Sequence, residues 1–251
     1  MRKLKGDLNA FEKDLELFKS SGVEFISKRY GSTGCILYGG NEYVYSKTGD
    51  VSIRNMCASV TRDAKKYLKN NNLDHIDEKK VVHFNRPSIE KMIGDNVVGI
   101  DINACYWTIA KRYGIIGEKT YLKGLQNKTA RLIATGSLAK KIRTVNYANG
   151  EQLCDEVSRP ETYKVWNLLL DEVYKLYLEA RGVLGDDFYM WLTDCVYTSP
   201  RRAFEMIDFF TNKGFDVKFE QYRFLEFKGN NLYYLSTTND KIKWIGVPMS
   251  I

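Results

Sequence analysis

The stretch "VVGIDINACYWTIA", residues 97–110, constrains this chain more than any other. It opens as a nearly unbroken apolar run that reads as a buried strand, interrupted by one aspartate, Asp101. Past Asp101 the period changes. Ala104, Trp107, Thr108 and Arg112 fall at helical spacing, and Gly114 closes the segment. Asp101 therefore stands at a strand-to-helix junction. A buried carboxylate without a partner is costly or takes up a proton, so its charge needs company there. "FYMWLTDCVYTS", residues 188–199, poses the same problem, with Asp194 alone among aromatic and β-branched neighbours.

Two carboxylates at strand ends repel each other when brought together, and a divalent cation between them relieves the repulsion. Mg²⁺ takes a few carboxylates and fills its other positions with water and substrate phosphates. Two such ions about 3.5–4 Å apart bind the attacking and leaving oxygens of a phosphoryl transfer. On spacing alone the other reading is a pair of turn or capping residues. Other metal chemistry is poorly supplied. The only histidines are His75 and His83, and Cys35, Cys57, Cys105, Cys154 and Cys195 form no CxxC pair. The scattered thiols suit a reducing cytoplasm, and no apolar run approaches the roughly 20 residues of a membrane span. The basic N-terminus lacks the apolar stretch of a signal peptide. A net charge of +7, from 38 Lys and Arg against 31 Asp and Glu, permits a polyanionic partner.

Along the chain the expected elements alternate. A helix is expected over 7–20, then a glycine-punctuated β-meander over 23–47 and a helix over 51–69. A short strand "VVHF" and a short helix "SIEKMIG" lead into the first quoted stretch. Helices follow over 117–125 and 127–138, then the strand "KKIRTVNY" and a long helix over 160–181 with the stripe Leu168, Leu169, Val173, Leu176 and Tyr177. Two strands flank Thr193 and Asp194, Pro200 opens a helix to about 213, and three strands finish the chain. The class is α+β, an antiparallel sheet with helices on one face. Residues 1–94 read as an N-terminal α+β segment and 95–251 as a core, with about 115–145 as a short helical insertion.

"DINACYWTIA" resembles motif A of the family B DNA polymerases, Asp-x-x-Ser-Leu-Tyr-Pro-Ser. Asp101 is its aspartate, Ala104 and Cys105 take the Ser-Leu positions, and Tyr106 is its tyrosine. "WLTDCVY" resembles motif C, Asp-Thr-Asp-Ser-Val, through Thr193 and Asp194, with Cys195 replacing the serine. "RLIATGSLA", 131–139, is similar to motif B, with Arg131 where its lysine stands and Thr135 and Gly136 in place of Asn-Ser. The order A, B, C agrees with the family. The departures are Leu192 for the first aspartate of motif C, Trp107 for the motif A proline, and the missing Asn, Tyr and Gly of motif B. "DLE" at 14–16 mimics an exonuclease motif but falls in an amphipathic helix, so Asp14 and Glu16 read as a solvated face.

The resemblance implies a polymerase-palm-like sheet with short fingers. It implies two divalent ions, Mg²⁺ or Mn²⁺, on Asp101 and Asp194, with the Ile102 carbonyl as a further ligand. Tyr106 would lie under the sugar and select deoxynucleotides, or else serve as a core aromatic. Lys128 and Arg131, three apart on one helix face, would grip the triphosphate, and Lys140, Lys141 and Arg143 would follow template or primer phosphates. The implied activity is template-dependent DNA synthesis from primer-template and dNTP, for a virus, phage or plasmid, with a protein primer or a replication or virion protein as a further partner. Two alternatives stay open: a palm that has lost catalysis and binds nucleic acid or serves assembly, and a nuclease using the same aspartates.

Overall fold

The computed structural model describes residues 1–31, 33–46, 51–74, 76, 94–228, 231–236 and 242–246. The strand expected at 81–84 and most of the short helix at 88–94 lie outside them. In chain order the elements begin with β1 (Arg2–Gly6), α1 (Leu8–Ser20), β2 (Phe25–Tyr30), β3 (Thr33–Tyr38), β4 (Asn41–Ser46) and α2 (Val51–Asn70). Next come β5 (Gly94–Ile102), α3 (Cys105–Arg112), α4 (Glu118–Gln126), α5 (Lys128–Ser137), β6 (Ile142–Ala148) and β7 (Glu151–Ser158). The remainder is α6 (Tyr163–Leu184), β8 (Phe188–Leu192), β9 (Cys195–Thr198), α7 (Ala203–Asn212), β10 (Val217–Lys228), β11 (Asn231–Ser236) and β12 (Ile242–Gly246).

The chain forms two compact units, 1–76 with 113–166 and 77–112 with 167–251. The units interleave along the chain, whereas the sequence reading drew one line near residue 94. The reason is strand pairing: β2 runs antiparallel to β6, with Phe25 opposite Tyr147. That pairing ties the N-terminal meander to residues far downstream.

The first unit's sheet has the order β1-β4-β3-β2-β6-β7, antiparallel except for the parallel pair β1–β4. Asp7 caps α1 by accepting the Asn9 and Ala10 amides at 3.0 and 3.1 Å. The helix then lays Phe11 and Leu15 onto Phe25, Ile36, Tyr45, Val145 and Tyr147 to make a core. Gly34 is required there, because a Cβ at that position would come within 2.5 Å of the Phe11 ring. Asp14 is not simply solvated: the Tyr45 hydroxyl donates to it at 2.6 Å at the edge of this core. Glu16 does face solvent, paired with Lys19 at 2.8 Å.

The helices of this unit pack α2 against α4 and α5, burying Met56, Val60 and Ala64 of α2 and Ala130 and Ala134 of α5. Polar contacts set their register. Thr120 Oγ1 donates to Asp63 at 2.8 Å, and Asn127 caps α5 by accepting the Ala130 amide at 2.9 Å. Strand β7 has no counterpart in the sequence reading.

The second unit's sheet has the order β12-β11-β10-β5-β9-β8 and is antiparallel throughout. The α6 stripe Leu168, Leu169, Val173, Leu176 and Tyr177 is buried. Tyr177 stacks on Trp191 of β8 at 5.7 Å between ring centres and meets Phe210 of α7 edge-on at 6.2 Å. Helix α7 also packs on β5 and β10. Asp187, just before β8, is buried and takes a two-pronged bond from Arg201, Nε at 3.0 Å and Nη2 at 2.7 Å. That pair fastens both ends of the β8–β9 hairpin.

Candidate carboxylate site

Three neighbouring strands of the second unit build the site. Asp101, next to last in β5, lies opposite Cys195 of β9 on one side and opposite Lys218 of β10 on the other. Residues directly across an antiparallel pair share a face, so all three side chains leave the same face of the sheet. Thr193 and Asp194 form the two-residue link between β8 and β9, and the Ile102 amide donates to the Asp194 carbonyl at 2.8 Å. That bond continues the β5–β9 ladder past its last residue pair and sets Asp194 beside Asp101.

The link is strained. Thr193 has φ of +54°, a left-handed conformation that a β-branched residue rarely adopts. Its hydroxyl lies between two acceptors, the Leu192 carbonyl at 2.8 Å and Asp194 Oδ1 at 3.0 Å. Ala104, between β5 and α3, also has φ of +54°. Both unusual residues thus flank the aspartates.

The electrostatics follow from crowding. Burial first, and then the neighbouring Asp101 charge, raise the Asp194 carboxyl above the ordinary carboxylate range. On the other flank Lys218 Nζ lies 2.8 Å from Asp101 Oδ2, and this bond holds the ammonium pKa up. The sequence reading missed Lys218. The alternation of "VKFEQY" puts it on a polar face, but the register that sets it opposite Asp101 is not written in β10 itself.

Tyr106 sits in the first turn of α3, half-buried; burial raises its hydroxyl, and the Cys105 and Asp194 charges add to this. The Ile102 side chain is fully buried. The thiols of Cys105 and Cys195 are pushed far up, mainly by burial, and are poor nucleophiles. Beneath the pair lies Tyr177, fully buried, whose hydroxyl has no hydrogen-bond partner among the described residues. Its pKa is held well up by burial and then by Cys105 and Asp194. Gly99, two residues before Asp101, lets the Tyr222 and Tyr197 rings close over the strand, since a Cβ there would meet Tyr222 at 2.8 Å.

The other residues named from the sequence belong to the first unit. Lys128 opens α5 and is exposed. Arg131, half-buried, donates from Nη1 to the Gly124 carbonyl at 3.2 Å, and burial lowers its pKa. It thereby serves one of the last carbonyls of α4. Lys140 lies 5.6 Å from the centre of the Tyr30 ring and Lys141 is exposed. Arg143 is bound by Asp155 through Nε at 2.9 Å and Nη2 at 2.6 Å.

The oxygens of Asp101 and Asp194 are hard donors already crowded by like charge, which suits Mg²⁺ or Mn²⁺. Among the described residues, no group of three or more His, Cys, Asp and Glu side chains is placed to hold a metal. No helix among the described residues is long and apolar enough to cross a membrane. No protein-family model, no curated protein and no solved structure matches the chain.

Proposed function

We propose that the chain is a template-dependent nucleotidyl transferase of the DNA polymerase kind, built on a palm-like sheet. The observation that carries this reading is the carboxylate pair: Asp101 from β5 and Asp194 from the β8–β9 link, side by side on neighbouring strands. In order and strand context they resemble motifs A and C. The reaction is attack of a 3′-hydroxyl, or of a protein primer's hydroxyl, on the α-phosphate of a dNTP, which breaks the α–β phosphoanhydride bond and releases pyrophosphate and a proton. Divalent metal, when bound, would supply charge neutralisation at the phosphates and acidify the attacking hydroxyl. Asp101 and Asp194 would hold the metal, with the Ile102 carbonyl as a further oxygen. Tyr106 takes the sugar and excludes a 2′-hydroxyl. The resemblance assigns the triphosphate to Lys128 and Arg131, and template or primer phosphates to Lys140, Lys141 and Arg143. All five cysteines are free, which agrees with work in a reducing cytoplasm, that of the host for a viral or phage protein.

A second reading, a palm without catalysis that binds nucleic acid or serves assembly, is favoured by Lys218, which sits on Asp101 at 2.8 Å. Incorporation of dNTPs on a primed template with Mg²⁺ or Mn²⁺, wild type against Asp194→Ala, separates the two. Metal-dependent incorporation that disappears in the variant supports the enzyme. A wild-type protein that incorporates nothing while still binding the template leaves the inert palm.

A further inference from the structure

We propose that Lys218 is a built-in counter-cation that restricts the carboxylate site to a single divalent ion. The inference rests on the nucleotidyl-transfer reading for the kind of ligand, and departs from the two ions that the resemblance implies.

The geometry is specific. Lys218 is the cross-strand partner of Asp101, and its ammonium engages Oδ2 of that aspartate at 2.8 Å. The contact comes from a sheet register, so the lysine backbone cannot move away without breaking the β5–β10 ladder. On the other side Asp194 Oδ1 is approached at 3.0 Å by the Thr193 hydroxyl, which it shares with the Leu192 carbonyl at 2.8 Å. The oxygens that remain without these partners, Oδ1 of Asp101 and Oδ2 of Asp194, are few enough for one shared ion.

Charge leads to the same count. The ionised carboxylate pair together with the Lys218 ammonium carries one net negative charge. One divalent ion overturns it, and the excess is met by the phosphates of a nucleotide. A second ion would add its full charge beside an ammonium, and among the described residues no third acid joins the pair to receive it. Leu192 ends β8 opposite Cys195, where an acid would have extended the pair. Among the described residues, Asp216 accepts from Asn103 Nδ2 at 2.8 Å, and Glu220 from the Tyr222 hydroxyl at 3.4 Å.

Lys218 therefore does part of the work of a second metal at Asp101, and it opposes the ion that does bind. Even at the dielectric of water, a unit charge about 5 Å from a divalent ion weakens its binding on the order of tenfold. Removing the ammonium should recover at least that factor and open the second position.

The test is titration of the full chain with Mn²⁺, following free Mn²⁺ by electron paramagnetic resonance, for wild type, Lys218→Met, Lys218→Arg and Asp194→Asn. The Lys218 side chain is 62% exposed, so the substitutions there spare the core, and thermal melts verify folding. One ion per wild-type chain is expected, with the Met variant binding about tenfold tighter and taking a second ion. The Arg variant should follow wild type, and Asp194→Asn should lose the ion. Two ions on wild type, or a Met variant that binds no tighter, overturns the inference while the nucleotidyl-transfer reading stands. If wild type and the folded Met variant both bind no ion at millimolar Mn²⁺, that reading falls, and the inference with it.

Discussion

Ile102 hands its amide to the carbonyl of Asp194 at 2.8 Å, so the strand that carries one carboxylate also fixes the turn that carries the other. The pair is set by main chain and not by flexible side chains. Its repulsion is therefore stored in the fold.

That storage has a sign. The Asp194 carboxyl binds its proton more tightly when folded than when unfolded. Its ionisation thus weakens the fold as pH rises from the unfolded value of about 3.9 up through the raised folded value, and costs nothing below that window. Asp194→Asn should melt at a higher temperature than wild type at pH 7, and the gap should close near pH 3. Melts across that range check it; a less stable variant at pH 7 would mean the charge is already compensated.

Asp187 titrates the opposite way beside the same hairpin. The hydrogen bonds from Arg201 hold its carboxyl below the ordinary range. Its contribution is present above the unfolded carboxylate value and is lost as pH falls through the folded one. Arg201→Ala should lower Tm at pH 7 and should differ less from wild type as pH drops below about 3. A constant difference across pH would show that Arg201 acts through packing alone.

Thr193 in the left-handed region costs about 1–2 kcal/mol that glycine would not. Thr193→Gly should raise stability by about 1 kcal/mol in urea titrations, while loosening the aim of Asp194 and so weakening Mn²⁺ binding. A destabilised Gly variant would show that the hydroxyl contacts outweigh the strain.

Arg131→Ala distinguishes enzyme from inert palm. The bond to the Gly124 carbonyl predicts a stability loss of about 1 kcal/mol in either case. In the enzyme the variant should also lose about 2–4 kcal/mol of transition-state stabilisation, read as kcat/KM for dNTP, with template binding near wild type. Wild-type incorporation by the variant would remove the motif B assignment.

Nucleic-acid binding should weaken linearly on a log–log salt plot, by about 0.9 per duplex phosphate neutralised. Lys140→Glu with Lys141→Glu should flatten the slope. Arg143→Glu should change it less, because Asp155 already holds that guanidinium. Unchanged binding in the double variant would make this patch ordinary solvated surface.

Periodic burial made much of the architecture readable. The long helix with its stripe from Leu168 to Tyr177, the hairpin around Thr193 and the helix capped by Asn127 all announce themselves by spacing and punctuation. Strand β7 does not. "EQLCDEVS" buries nothing, leaves Leu153 and Val157 exposed, and is a strand through its pairing with β6 alone. Asp101 and Asp194 could be singled out because a lone charge in an apolar run is conspicuous. Lys218 could not, because a lysine in an alternating strand is ordinary until its neighbour across the sheet is known. The role of Gly34 was hidden for the same reason: its constraint is the Phe11 ring, which arrives from another element.

The interleaving of the two units has a consequence for synthesis. While the chain emerges, β2 presents an open edge until β6 is made, on the far side of residues 77–112, which belong to the other unit. At usual elongation rates that wait is on the order of ten seconds. An uncovered strand edge invites pairing with another nascent chain for as long as it lasts. Translation speed across 31–148, and chaperone cover during it, should therefore govern the yield of folded protein more than the stability of either finished sheet.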